Sequence, residues 1–154
     1  MPMNVEIINK NFTVGIHGFS GTAVNNDYAG TAFKLMDRMW RIVKAKGLKN
    51  KGINIWVYEA NGKIFAGVEL ENPGDRDTEL EYKVVSLSKY AYYKHIGPYQ
   101  LIKQVGQSMS AELKTQGFEI SFPYLEIYGH WTNDETKLET ELFVKSKRIL
   151  AQTE

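Results

Sequence analysis

The feature that most restricts the fold of this chain is a recurrence at a spacing of 70 positions. Two amphipathic stretches end at Gly47 and Gly117, and 117 − 47 = 70. At the same spacing Ile55 matches Leu125, Val57 matches Ile127, Tyr58 matches Tyr128, Glu69 matches Glu139 and Glu71 matches Glu141. One such pair is chance, but several at one spacing indicate a repeated module. Each copy, about 1–72 and about 80–148, is too short to bury a comfortable core alone. The expected outcome is one domain over 1–154. Its class is α+β, with duplicated strand-helix-strand-strand modules sharing an antiparallel sheet around a central ligand cleft.

The local patterns fill in the modules. Val5 and Ile7, then Phe12, Val14 and Ile16, alternate with polar neighbours, the period of a strand. Asn9-Lys10-Asn11 reads as a bend between them, and Gly18 to Asp27 as a loop. Asp27 caps a helix expected over about 28–46, with Phe33, Met36, Trp40 and Val43 as its apolar stripe. A strand over 53–60, Asn61-Gly62 and a return strand over 63–71 form a hairpin. Asn72-Pro73-Gly74-Asp75 opens a polar linker to about Glu79. The second module reads as a strand near 80–95, a helix begun by Gly97-Pro98 and striped with Leu101, Ile102, Val105, Met109 and Leu113, a strand over 124–131 and a strand over 138–145. The final residues are expected to fray.

The strand 124–131 carries the chemistry. Alternation puts Leu125, Ile127 and Gly129 on one face and Tyr124, Glu126, Tyr128 and His130 on the other. At the 70-residue spacing Trp56 stands opposite Glu126, with Tyr58 beside it. Two related strands meeting at an axis would make an aromatic box with one acid. A carboxylate walled by rings loses hydration, its pKa rises, and a flat cation relieves both effects. The same alternation also describes an ordinary solvent-facing strand. A second segment, Tyr90-Ala-Tyr-Tyr-Lys-His95, puts Tyr90 and Tyr92 on one face and Ala91, Tyr93 and His95 on the other. Either tyrosine set can line the box. His95 alone reads as a hydrogen-bonded structural residue.

The run from Tyr90 to Tyr99, a following helix, and then Pro123-Tyr-Leu-Glu-Ile-Tyr128 resemble the GyrI-like small-molecule-binding family. That family includes effector-binding domains of multidrug-responsive transcription activators as well as stand-alone members. The resemblance implies that Glu126 anchors a cationic aromatic ligand, with Tyr128, Tyr124, Trp56, Tyr58, Tyr90, Tyr92 and Tyr93 as the surrounding candidates. Drug sensing or sequestration follows. Some relatives look like hydrolases of strained electrophilic molecules. In that alternative Glu126 is the acid or base, with Tyr128 or Tyr92 polarising the ligand.

Composition removes other classes. The formal charge of +1 lacks the basic excess of a nucleic-acid binder, and no helix-turn-helix segment flanks the module, so no direct nucleic-acid contact is expected. The lysine run Lys44, Lys46, Lys49 and Lys51 suits a solvated helix end. Disulfides and thiolate metal sites are excluded by the absence of cysteine. His17, His95 and His130 lack metal spacing, so no metal or cofactor is expected. The glycines at 15, 18 and 21 are not followed by Gly-Lys-Ser/Thr, and Gly18-Phe19-Ser20-Gly21 misses a nucleophile elbow by one position. No long apolar run or leader is visible, which leads to the expectation of a cytoplasmic protein. A partner protein of unstated identity, as for a gyrase-directed modulator, is a third class to test.

Overall fold

The computed structural model describes residues 3–72 and 78–149. Residues 73–77 of the expected linker, and the tail expected to fray from 150 on, lie outside the described residues. The described residues form two helices, α1 (Tyr28–Lys46) and α2 (Ile102–Thr115). They also form eight strands: β1 (Glu6–Ile8), β2 (Phe12–Thr22), β3 (Asn50–Tyr58), β4 (Lys63–Leu70), β5 (Glu81–Leu87), β6 (Tyr90–Ile96), β7 (Phe118–Tyr128) and β8 (Glu139–Arg148). All eight join one antiparallel sheet in the order β1-β6-β8-β7-β3-β4-β2-β5. This is an α+β fold with two like halves, β2-α1-β3-β4 and β6-α2-β7-β8, meeting at the β3–β7 seam.

The seam register reveals a pseudo-two-fold axis. Trp56 pairs with Glu126, flanked by Ile55↔Ile127 and Val57↔Leu125. Shifting 55 to 125 and 127 to 57 turns the first flanking pair into the second. The axis therefore passes between Trp56 and Glu126. The helices keep the same spacing: Ala32 and Ile102, Met39 and Met109, and Val43 and Leu113 are buried in equivalent pairs. The outer strands do not. Ala66 lies beside Trp56 and Leu142 beside Glu126, and 142 − 66 = 76. The β7–β8 connection (129–138) has ten residues against four (59–62) between β3 and β4. The longer connection shifts everything after it, so the matches of Glu69 with Glu139 and Glu71 with Glu141 are not structural equivalences.

Three other expectations change. Gly18 to Thr22 belongs to β2 rather than to a loop. Gly18 pairs with Gly67, where a Cβ would collide with the Ala66 carbonyl oxygen. The glycine serves a close strand approach rather than a turn. The stretch 80–95 is two strands, because bends at Ser88 and Lys89 interrupt it. β5 then pairs with β2, and β6 with β8. β7 starts at Phe118, not Tyr124. Its pairing shifts between Ile120 and Tyr124, around Pro123, which has no N–H for the ladder.

Alternation in the strands separates two faces. One face gathers Val14, Ile16, Ile55, Val57, Phe65, Val85, Leu87, Tyr90, Leu125 and Phe143 into a core. The sheet curls around it until Phe12 of β2 stacks on Phe143 of β8, ring centroids 4.4 Å apart. Both helices lie on the other face. α1 covers Phe19, Val68, Leu70, Ile64 and Ala66, and α2 covers Ala91, Leu142 and Val144. Asp27 caps α1 by accepting from the Gly30 N–H at 3.0 Å, and Gly47 ends it with φ 59°. Among the described residues no helix is long and apolar enough to cross a membrane.

Candidate functional site

Between the two helices the centre of the sheet is left uncovered. The gap is a cleft of about 910 Å³. Its floor is the β3–β7 seam, with Trp56, Tyr58, Tyr124, Glu126 and Tyr128, and its walls come from both helices.

Glu126 is only 7% exposed. Tyr58 and Tyr128 both donate to its Oε1, each at 2.6 Å. Its other oxygen accepts no hydrogen bond, and no cation pairs with it, among the described residues. Burial pushes the carboxyl above the usual carboxylate range, and the hydrogen bonds from Tyr128 and Tyr58 offset part of that rise. The phenols of Tyr58, Tyr124 and Tyr128 are pushed upward too, first by burial and then by the charge of Glu126. They therefore stay protonated, and Tyr58 and Tyr128 remain donors.

Rings surround this acid. Tyr58 stacks on Tyr124 at 4.4 Å and 12°. Trp56 meets Tyr128 edge-on at 5.0 Å, and Tyr99 meets Tyr128 at 5.5 Å. Tyr28 packs against Tyr58, and Phe33 stands edge-on to Trp56 at 5.2 Å. The structure thus brings together five of the residues singled out in the sequence: Trp56, Tyr58, Tyr124, Glu126 and Tyr128. It removes three. Tyr90 and Tyr92 point to the opposite face, where both pack on Phe143, and the Tyr92 hydroxyl donates to Glu141. Tyr93 shares the helix face but packs with the cluster under α2, away from the cleft lining. The open choice between tyrosine sets on β6 therefore resolves to neither, because β8 separates β6 from the seam. His95 is buried and donates from Nε2 to the Pro98 carbonyl at 3.0 Å, a structural tie across the strand-to-helix junction.

Sequence reasoning missed the walls. Tyr28, Phe33, Met36, Tyr99, Lys103 and Gly106 all line the cleft. Phe33 and Met36 belong to the stripe read as core, yet Phe33 is 54% exposed. The available signal was that Leu35, Met39 and Ile42 widen that stripe, so one sheet face need not cover all of it. Tyr99 sat in plain view in the Gly-Pro-Tyr junction. No group of three or more metal-ligating side chains occurs among the described residues.

A helix-walled cleft on the open face of a pseudo-symmetric antiparallel sheet defines a small-molecule-binding architecture. The model of the GyrI-like small molecule binding domain matches residues 26–147, and the chain belongs to that family. Solved structures share the fold. The C-terminal domain of EcmrR superposes with a TM-score of 0.74 at 14% identity, covering 97% of this chain and 100% of that one. SAV2435 bound to tetraphenylphosphonium gives 0.59 at 18% identity, covering 96% and 94%. A hydrolase from Listeria innocua gives 0.56 at 10% identity, covering 96% and 94%. Comparison with curated protein sequences gave no match.

Proposed function

We propose that the cleft captures bulky aromatic cations and that Glu126 supplies the countercharge. The observation that carries this reading is a buried carboxylate with two phenol donors on one oxygen and no cation partner among the described residues. A charge buried without a partner costs several kcal/mol. A cation that enters the cleft lowers that cost and gains about 0.5–2 kcal/mol for each good ring-face contact. The surrounding rings recognise flatness and charge more than outline, so the cleft tolerates many ligands. This suits sensing or sequestration. The relative bound to tetraphenylphosphonium supports the ligand class.

The direct test is a titration followed by tryptophan fluorescence, because Trp56 and Trp131 both line the cleft. Tetraphenylphosphonium should give a saturable change, and neutral triphenylphosphine oxide a much weaker one. Equal affinity for the two would end the countercharge argument.

A second reading rests on the raised carboxyl, which faces the cleft. A protonated Glu126 beside the Tyr128 hydroxyl is a general acid with its own relay. The fold relative described as a hydrolase points the same way. Strained electrophilic ligands would then be consumed, with loss of turnover in Glu126→Gln. Ligands recovered unchanged after long incubation leave capture alone.

A further inference from the structure

On the helices the 70-residue spacing makes Met36 of α1 and Gly106 of α2 equivalent positions. Both line the cleft. Met36 projects a long side chain and also packs against the core beneath α1. Gly106 projects nothing, and a Cβ placed there would meet no atom within 4 Å.

Glycine in a helix interior is unfavourable relative to every ordinary residue except proline. It is kept where a turn needs positive φ or where a neighbour comes too close for a side chain. Neither applies at Gly106. It lies inside α2, outside the positive-φ set, and faces open space. Packing explains nothing about it. What the missing side chain does is widen the cleft on one side. The α1 side is filled by Phe33 standing edge-on to Trp56. The α2 side is bare at Gly106 and bordered by Lys103, Gln107 and Ser110. Glu126 lies on β7, a strand that α2 packs against.

We propose that Gly106 sets the size of ligand the cleft admits, and that a bulky multi-ring cation lies with its body against α2 rather than α1. This rests on the cation-capture reading and adds to it a position and a size limit. The ligand class is a cation with at least one ring group too large to fit beside a methionine at position 106.

Two probes and two variants test it. Tetraphenylphosphonium is the bulky probe and benzyltrimethylammonium the small one. Gly106→Ala is expected to raise the thermal midpoint, because alanine favours the helix, while weakening tetraphenylphosphonium about threefold. Gly106→Met, which copies the α1 position, is expected to weaken it on the order of tenfold or more. Benzyltrimethylammonium should stay within about twofold in both. A purely structural glycine cannot give higher stability together with selective loss of the bulky ligand. Unchanged tetraphenylphosphonium affinity in Gly106→Met overturns the inference and leaves cation capture standing. So does an equal loss of both probes. If wild-type protein binds neither cation, the capture reading falls, and this inference falls with it.

Discussion

The two halves share a frame and differ in what fills it. On the axis the first half offers Trp56 and the second Glu126. On the helices Phe33 of α1 is equivalent to Lys103 of α2, and Met36 to Gly106. Between the hairpin strands four residues in one half stand against ten in the other, and the longer connection brings the exposed Trp131 to the cleft. The first half is a packed aromatic wall. The second carries the charge, the vacant helix face and the extended loop. The difference teaches that the frame is symmetric but the chemistry is not. It also has a simple cause. Residues that face each other at the axis are neighbours, with Cβ atoms roughly 5 Å apart across the strands. A glutamate in both halves would set two like charges side by side where burial already strips one of hydration.

The sharpest way to break the comparison is to remove the acid. Glu126→Gln keeps the shape and is expected to weaken tetraphenylphosphonium by about 2–3 kcal/mol, a loss on the order of a hundredfold. Triphenylphosphine oxide should change less than about threefold. Trp56→Phe should weaken both ligands similarly, and a selective effect on the cation would erase the proposed division of labour.

Acid should reproduce the same loss reversibly. In the free protein the Glu126 carboxyl titrates above its ordinary value, and a bound cation favours the charged form. Affinity for a permanently charged ligand should therefore be full above that raised pKa and fall by up to tenfold per pH unit below it. Titrations at a series of pH values check this, and Glu126→Gln should flatten the slope.

A smaller effect concerns stability without ligand. Because the folded-state pKa is raised, the stability Glu126 contributes is fully present below its unfolded value, near 4.5. It is lost as pH rises through the folded value. Glu126→Gln is therefore expected to be the more stable protein at neutral pH and to lose that advantage in acid. Urea unfolding at two pH values measures it.

The smallest change tests the helix walls. Lys103 puts a like charge on the ligand's side of the cleft. Lys103→Gln should improve cation affinity by roughly two- to fivefold at low salt and hardly at all at high salt.

What was legible in the sequence follows from range. Period-2 alternation placed Trp56, Tyr58, Tyr124, Glu126 and Tyr128 on one face, because side-chain direction along a strand is a local property. Cap residues Asp27 and Gly47 fixed the bounds of α1 for the same reason. The spacing of 70 paired Trp56 with Glu126 before any contact was visible. The face of β6 stayed open in the sequence, since it depends on β8 lying between β6 and β7, a long-range fact. The glycines of β2 looked like a loop because only the opposing Gly67 reveals why Gly18 is needed. The cleft walls were hidden for a related reason. A helical stripe states which residues avoid water, but not whether a sheet or a ligand is to cover them.

The outermost strands carry one last consequence. β1 precedes β2 in sequence yet pairs with β6, and β5 precedes β6 yet pairs with β2. Each half thus lends its leading strand to the far flank of the other, a reciprocal exchange within one molecule. A backbone cut between β4 and β5 would leave two pieces still clasped at both rims. Such pieces, made separately, should reassemble on mixing, with the ligand seat restored only in the joint product.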